Sequence, residues 1–122
     1  MRVSLYRCYS GRCQICSSTF YQKNGTQFFI AHFIVCRKVS DSAVMTGNSI
    51  CLCAYHFAQM VYGRLKNPNV LVQPKSIYSI HESFELGLEI NGKCLTIKYN
   101  QQHAIALKAY YETTKDKGES KR

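Results

Sequence analysis

Two short motifs, Cys13-Gln14-Ile15-Cys16 and Cys53-Ala54-Tyr55-His56, constrain this chain more than its hydrophobic pattern does. A Cys-x-x-Cys turn lets two thiolates approach one ion from a single knuckle. A Cys-x-x-His pair at the start of a helix sets a thiolate and an imidazole on one side. Together they predict one structural Zn²⁺ held by Cys13, Cys16, Cys53 and His56. Cys51 is a rival for Cys53, but only Cys53 has the two-residue spacing to His56. The 36 residues between Cys16 and Cys53 leave room for a hairpin and a loop. Such a staple suits a chain of 122 residues, because small domains bury a lower fraction of their surface than large ones.

The seven cysteines are an odd number, which argues against a closed disulfide framework. In a reducing compartment thiols stay free, so metal ligation is the better account of the cluster. Cys8, Cys36, Cys51 and Cys94 then read as small buried hydrophobes. No signal peptide is recognised at the N-terminus. The most apolar window, Ser49 to Tyr62, is too short and too polar to span a bilayer. A soluble, cytoplasmic protein with no membrane partner is expected.

Along the chain, Met1 to Tyr9 shows no clear period and reads as a lead into the first ligands. Asn24-Gly25 predicts a hairpin between strands Thr19–Lys23 and Thr26–Ile34. Val39 to Gly47 reads as a surface loop. Ile50-Cys51-Leu52 reads as a short strand, and Ala54 to Tyr62 as a two-turn helix stopped by Gly63 in a left-handed C′ position. Asn67-Pro68-Asn69 and Gln73-Pro74 mark a connector. Beyond it, Phe84–Ile90 and Lys93–Tyr99 flank Asn91-Gly92. A two-residue turn there sets Ile90, Leu88, Leu86 and Phe84 opposite Lys93, Leu95, Ile97 and Tyr99 on one largely apolar face. Asn100 caps a helix from Gln101 to about Thr114, whose Ala104, Leu107, Tyr110 and Tyr111 recur at helical spacing. The last eight residues are expected to fray. The expected architecture is α+β: residues 1–66 form a zinc-stapled module, and residues 67–122 add a hairpin and C-terminal helix to the same domain.

Charge is uneven. Residues 1–80 carry nine Lys/Arg against a single acid, Asp41, whereas residues 81–122 carry seven against six. A field of one sign over the metal half suits a polyanion. Arg12, Arg37, Lys38, Arg64 and Lys66 are the candidate nucleic-acid contacts. Tyr6, Tyr9, Tyr21, Phe28 and Phe29 interleave with the cations, for packing or for base stacking.

From Arg12 to Gly63 the chain resembles the HNH endonuclease family of ββα-metal folds. The resemblance rests on Arg12-Cys-Gln-Ile-Cys16, Ala31-His-Phe-Ile-Val35 and Gly47-Asn-Ser-Ile-Cys-Leu-Cys-Ala-Tyr-His-Phe-Ala58. It also looks like the HNH-type modules of larger bacterial antiviral defence and restriction proteins. The resemblance implies that Cys13, Cys16, Cys53 and His56 are the structural zinc ligands. It implies further that His32 is the first His of the strand-end pair, which helps bind a catalytic Mg²⁺ or Mn²⁺, and that Asn48 braces the loop and orients the catalytic His. Three departures follow. The strand-end base position falls on Phe33, the second helical His on Phe57, and an acidic position four residues later on Val61. One inserted residue would instead put His32 itself at the base position. Phe57 has no such escape, because His56 is needed for zinc.

On residue chemistry alone, His32 also fits a hydrogen-bonded strand-edge histidine, and Asn48 fits turn chemistry after Gly47. His81 and His103 read as surface or hairpin-end residues. Three functions are compatible with this pattern. The first is a degenerate HNH-like module that binds nucleic acid, DNA rather than RNA, within an assembly. The second is a divergent metal-dependent endonuclease. The third is a protein-interaction domain in which Phe33 and Phe57 form a partner surface. The missing imidazoles favour the first and third over the second, and the charge asymmetry favours the first over the third.

Overall fold

The computed structural model describes residues 2–34, 45–66 and 84–120. Arg37, Lys38, Cys36, His81, the Pro68 and Pro74 connector and most of the loop after Val39 lie outside the described residues. The fold is α+β, with three helices and two small antiparallel sheets.

The first element, α1 (Arg2–Tyr9), is a helix that the sequence pattern did not announce. Only Leu5 of it is buried, so one interior apolar residue stands where a period would need three. Tyr9 packs against the small cluster that holds Leu5 and the Tyr6 ring lies 6.0 Å from that of Phe29, and polar contacts add to these. The Arg2 guanidinium donates to the Phe29 carbonyl at 3.1 Å and lies 3.8 Å from the centre of the Phe29 ring. Ser10 and Gly11, at φ 54° and 76°, end the helix in left-handed conformations and turn the chain into the knuckle.

The hairpin expected around Asn24-Gly25 is reduced to a turn and a single bridge, Tyr21 to Gln27. Gly25 has φ 88°, but Asn24 is not among the residues at positive φ. The two-residue turn that favours long hairpins needs positive φ at both positions. The Asn24 side chain instead accepts from the Thr26 N–H at 3.0 Å, a local turn that closes no ladder. Regular pairing begins later and with another partner: β1 (Ile30–Phe33) runs antiparallel to β2 (Ser49–Leu52), His32 opposite Ile50.

A single 3-10 turn, Thr46–Asn48, precedes β2, and all three of its residues are buried. That part of the expected surface loop is therefore interior. At Gly47 any Cβ would run into the Ala106 carbonyl and come within 2.7 Å of the Leu107 Cα, so only glycine lets the C-terminal helix cross there. After Cys53, α2 (Ala54–Tyr62) forms as expected. Gly63, however, has φ −78° rather than a left-handed value. Glycine is needed there for space, since a Cβ would lie 2.5 Å from the Gln59 carbonyl oxygen and 2.6 Å from Ile90 Cγ2.

The second sheet has the expected register. β3 (Phe84–Ile90) pairs with β4 (Lys93–Tyr99) from Ile90 opposite Lys93 to Phe84 opposite Tyr99. Asn91 and Gly92, at φ 52° and 81°, are both left-handed, as the two-residue turn demands. Leu86, Leu88, Ile90, Ile97 and Tyr99 are buried in one cluster with Ile50, Leu52, Met60, Ala104 and Leu107. Asn100 Oδ1 accepts from the His103 N–H at 2.9 Å, which caps α3 (Gln101–Ser120). That helix continues past the expected end near Thr114.

The half that carries the Cys-x-x-Cys and Cys-x-x-His motifs and the hairpin half share main-chain bonds. Lys66 N–H donates to the Glu89 carbonyl and Asn91 N–H to the Arg64 carbonyl, both at 3.0 Å. Gln14 clasps both sheets. Its N–H donates to the Cys51 carbonyl at 2.8 Å, and its Oε1 accepts from the Cys51 N–H at 2.7 Å. Its carbonyl accepts from the Lys98 N–H at 2.9 Å, and its Nε2 donates to the Lys98 carbonyl at 3.0 Å.

Candidate metal centre

The clasp at Gln14 fixes the knuckle in which it sits. Cys13 N–H donates to the Ser18 carbonyl at 3.0 Å and Ser17 N–H to the Cys13 carbonyl at 2.8 Å, with Ser17 at φ 66°. This turn brings Cys13 and Cys16 to the same side. On the other side of the site Cys53 is the N-cap of α2, and its Sγ accepts from the His56 N–H at 3.4 Å. Three residues is just under one helical turn, so His56 lies directly beside its own cap.

The four ligand atoms of Cys13, Cys16, Cys53 and His56 all lie within 4.8 Å of one another. Cys16 Sγ is 3.8 Å from Cys53 Sγ, and His56 Nδ1 is 3.6 Å from Cys13 Sγ and 3.4 Å from Cys53 Sγ. A tetrahedral zinc with bonds of ~2.3 Å to sulfur and ~2.0 Å to nitrogen requires edges of about 3.8 Å and about 3.6 Å. These three separations match those edges, and no pair of the four atoms is farther apart than 4.8 Å, so the side chains are close enough to close on one metal ion.

Electrostatics fit the same use. Burial pushes the Cys13 thiol up to about 11, so an ionised Cys13 at neutral pH needs a cation beside it. At Cys16 burial acts upward too, but hydrogen bonds from Ser18 and from the thiols of Cys13 and Cys53 outweigh it and hold the group below its ordinary value. The Ser18 hydroxyl lies 2.9 Å from Cys16 Sγ, and Ile15 N–H donates to Cys13 Sγ at 3.4 Å. Burial also lowers the pKa of His56 and favours the neutral imidazole, the form that can bind a metal. Cys51, the rival ligand, is fully buried in the small cluster of Leu5 and Phe29, where burial pushes its thiol up to about 12.

The other residues singled out from the sequence divide. His32 lies half-buried on β1, and its ring meets Phe57 edge-on, with centroids 5.5 Å apart. Burial lowers its pKa. Phe33, its neighbour in sequence, is 42% exposed and falls on the opposite face of the strand by alternation, so of these two phenylalanines it is Phe57 that stands beside His32. Asn48 is buried, and its carbonyl accepts from the Ile34 N–H at 2.8 Å, which extends the β1–β2 ladder. Val61 is exposed. Arg12 is exposed and donates to the Ser17 carbonyl at 3.2 Å. Arg64 is exposed, and Lys66 pairs at 4.0 Å with Glu89. Of the interleaved aromatics, Phe29 is core, and Tyr6 donates to Gln27 Oε1 at 2.6 Å. Tyr21 is 70% exposed.

His103 is not a surface residue. It is fully buried, stacked on Tyr99 with ring centroids 4.7 Å apart. Its Nε2 lies 2.9 Å from the Ser49 carbonyl and 3.1 Å from that of Thr46, so this nitrogen carries the proton. Nδ1 then accepts from the Tyr9 hydroxyl at 2.5 Å, and that oxygen accepts from the Asn100 N–H. This chain ties α1, the 3-10 turn, β2 and α3 into one unit.

No family model, curated protein or solved structure matches the chain. Among the described residues, no helix is long and apolar enough to cross a membrane.

Proposed function

We propose that this chain is a zinc-stapled, HNH-like module that binds nucleic acid, DNA in preference to RNA, and has impaired or lost nuclease chemistry. The carrying observation is the order strand, strand, helix hung on a Cys₃His cluster, with Phe57 edge-on to His32 where the resemblance calls for an imidazole. The donor set of three sulfurs and one nitrogen, all within 4.8 Å of one another, suits Zn²⁺ and would use all four positions, which is the pattern of a structural site. Phenylalanine can neither ligate Mg²⁺ or Mn²⁺ nor accept a proton. Metal-assisted attack of water on a phosphodiester therefore lacks a group that would compensate charge on the leaving oxygen.

Charge supports the polyanion. Residues 2–34 and 45–66 contain Arg2, Arg7, Arg12, Lys23, Arg64 and Lys66 and no Asp or Glu at all. Neutralised phosphates release counterions, so binding should weaken steeply as salt rises. The test incubates zinc-loaded protein with labelled single- and double-stranded DNA and RNA across salt and across Mg²⁺, Mn²⁺ and Ni²⁺, beside His32→Ala. Salt-steep binding without cleavage is the expected result. Turnover that depends on His32 would overturn the loss of chemistry, and a flat salt response would overturn the phosphate contacts.

A further inference from the structure

A cleft of about 700 Å³ opens between the turn that follows α1, the knuckle and the polar face of the β3–β4 hairpin, with Tyr99 in its lining. Two cations from different elements line it, Arg12 from the knuckle side and Lys98 from β4, with the hydroxyls of Ser10 and Ser17 and one carboxylate, Glu85. Arg12 uses an N–H on the Ser17 carbonyl, which anchors the guanidinium and leaves the rest of its donor fork available. Lys98 is held at both main-chain atoms by Gln14, so its side chain starts from a fixed point. Among the described residues, the ion pair within 4.0 Å is Lys66 with Glu89 and involves neither cation of the cleft.

These groups select a ligand class. A phosphodiester oxygen suits Arg12 and Lys98, which line the cleft from different elements, Lys98 directly opposite Glu85 in the hairpin. A bare phosphate suits the cleft poorly, because Glu85 and a zinc–trithiolate cluster carrying one net negative charge both repel it. A ligand that also offers hydrogen-bond donors turns Glu85 to use, since a carboxylate accepts from base amino groups or sugar hydroxyls. A nucleotide has both parts, and the volume lies in the range of small-ligand clefts. In a duplex the bases are stacked inside, so a cleft on the protein reaches a whole nucleotide only when the strand is single or locally opened.

We propose that this cleft seats one unstacked nucleotide, its phosphate between Arg12 and Lys98 and its donor-bearing edge toward Glu85. The inference rests on the nucleic-acid-binding reading above and adds to it a site, a strand state and Lys98. The experiment compares zinc-loaded parent, Lys98→Gln and Lys93→Gln for binding a labelled single-stranded 12-mer and the corresponding duplex, with zinc content and thermal unfolding checked for each. Lys93 sits at the exposed hairpin turn on the opposite face of β4, so the two variants change net charge equally. Lys98→Gln should weaken single-strand binding about tenfold and lower the salt slope by about 0.7, with Lys93→Gln near the parent. Glu85→Gln should weaken discrimination between a nucleoside monophosphate and inorganic phosphate as competitors. In the parent the mononucleotide should displace the strand at concentrations where phosphate does not.

Equal losses in the two lysine variants would overturn the cleft and leave general phosphate binding standing. Duplex bound as tightly as single strand, or phosphate competing as well as the mononucleotide, would also overturn it. A parent that binds no nucleic acid would remove the reading and the cleft together.

Discussion

Gln14→Ala tests how the knuckle is held. The side chain is 3% exposed and completes two bonds, accepting from the Cys51 N–H at 2.7 Å and donating to the Lys98 carbonyl at 3.0 Å. Truncation leaves the Cys51 N–H, on a fully buried residue, without its acceptor, which costs about 1–3 kcal/mol. The Lys98 carbonyl loses a donor at a partly buried site, worth about 1 kcal/mol. The two main-chain bonds of Gln14 survive, so the total should be about 3 kcal/mol, a large part of the ~5–15 kcal/mol that holds a domain folded. For a chain of this size that lowers Tm by roughly 15 °C. The assay is thermal and denaturant unfolding of zinc-loaded protein, with amide hydrogen exchange to locate the loss at Cys51 and Lys98. Gln14→Glu is the sharper companion. It keeps an acceptor for Cys51 N–H but turns an anion toward the Lys98 carbonyl, so it should be no better than alanine at neutral pH. A Gln14→Ala protein within about 0.5 kcal/mol of the parent, with Cys51 still protected, would refute the clasp.

Burial pushes the His103 pKa down to about 4, against the opposing pull of the Thr46 and Ser49 carbonyls. The unfolded chain, at about 6.5, therefore takes up the proton first as pH falls. Stability should be full above about pH 6.5 and decline toward pH 4, by up to about 3 kcal/mol. His103→Gln, compared with the parent at equal zinc loading, should lose this part of the pH slope; identical slopes would refute the buried neutral imidazole. Gly47→Ala forces a Cβ into the α3 backbone at Ala106 and Leu107, and should destabilise by about 2–3 kcal/mol in chemical denaturation.

Much of the hairpin half was legible because local chemistry and tertiary need agree there. Asn91-Gly92 accepts positive φ twice, strict alternation fixes the register, and Asn100 caps the next helix. The clustering of Cys13, Cys16, Cys53 and His56 was legible for the same reason, since knuckle and helix cap are both short-range geometries. What escaped depends on partners far away in sequence. α1 buries one residue and is held by polar contacts to Phe29 and to the network of His103, so no period marks it, although Ser10-Gly11 signals its end. Gln14 looks like a spacer until Lys98, 84 positions on, comes to lie beside it. His103 has the formula of a surface helix residue, and only the approach of Thr46 and Ser49 buries it. Gly63 shows a right outcome by a different route: the helix stops there in an extended rather than left-handed conformation, and glycine is required for want of space beside Gln59 and Ile90.

The central claim is that Cys13, Cys16, Cys53 and His56 close around one zinc, and X-ray absorption at the zinc edge on protein of measured metal content tests it most directly. One zinc per chain is expected, with three sulfurs at ~2.3 Å and one nitrogen at ~2.0 Å. Cys94→Ser, at an exposed position outside the cluster, should leave that spectrum unchanged, whereas Cys16→Ser should remove one sulfur from the shell. Protein that folds with no zinc, or a spectrum dominated by oxygen, would contradict it.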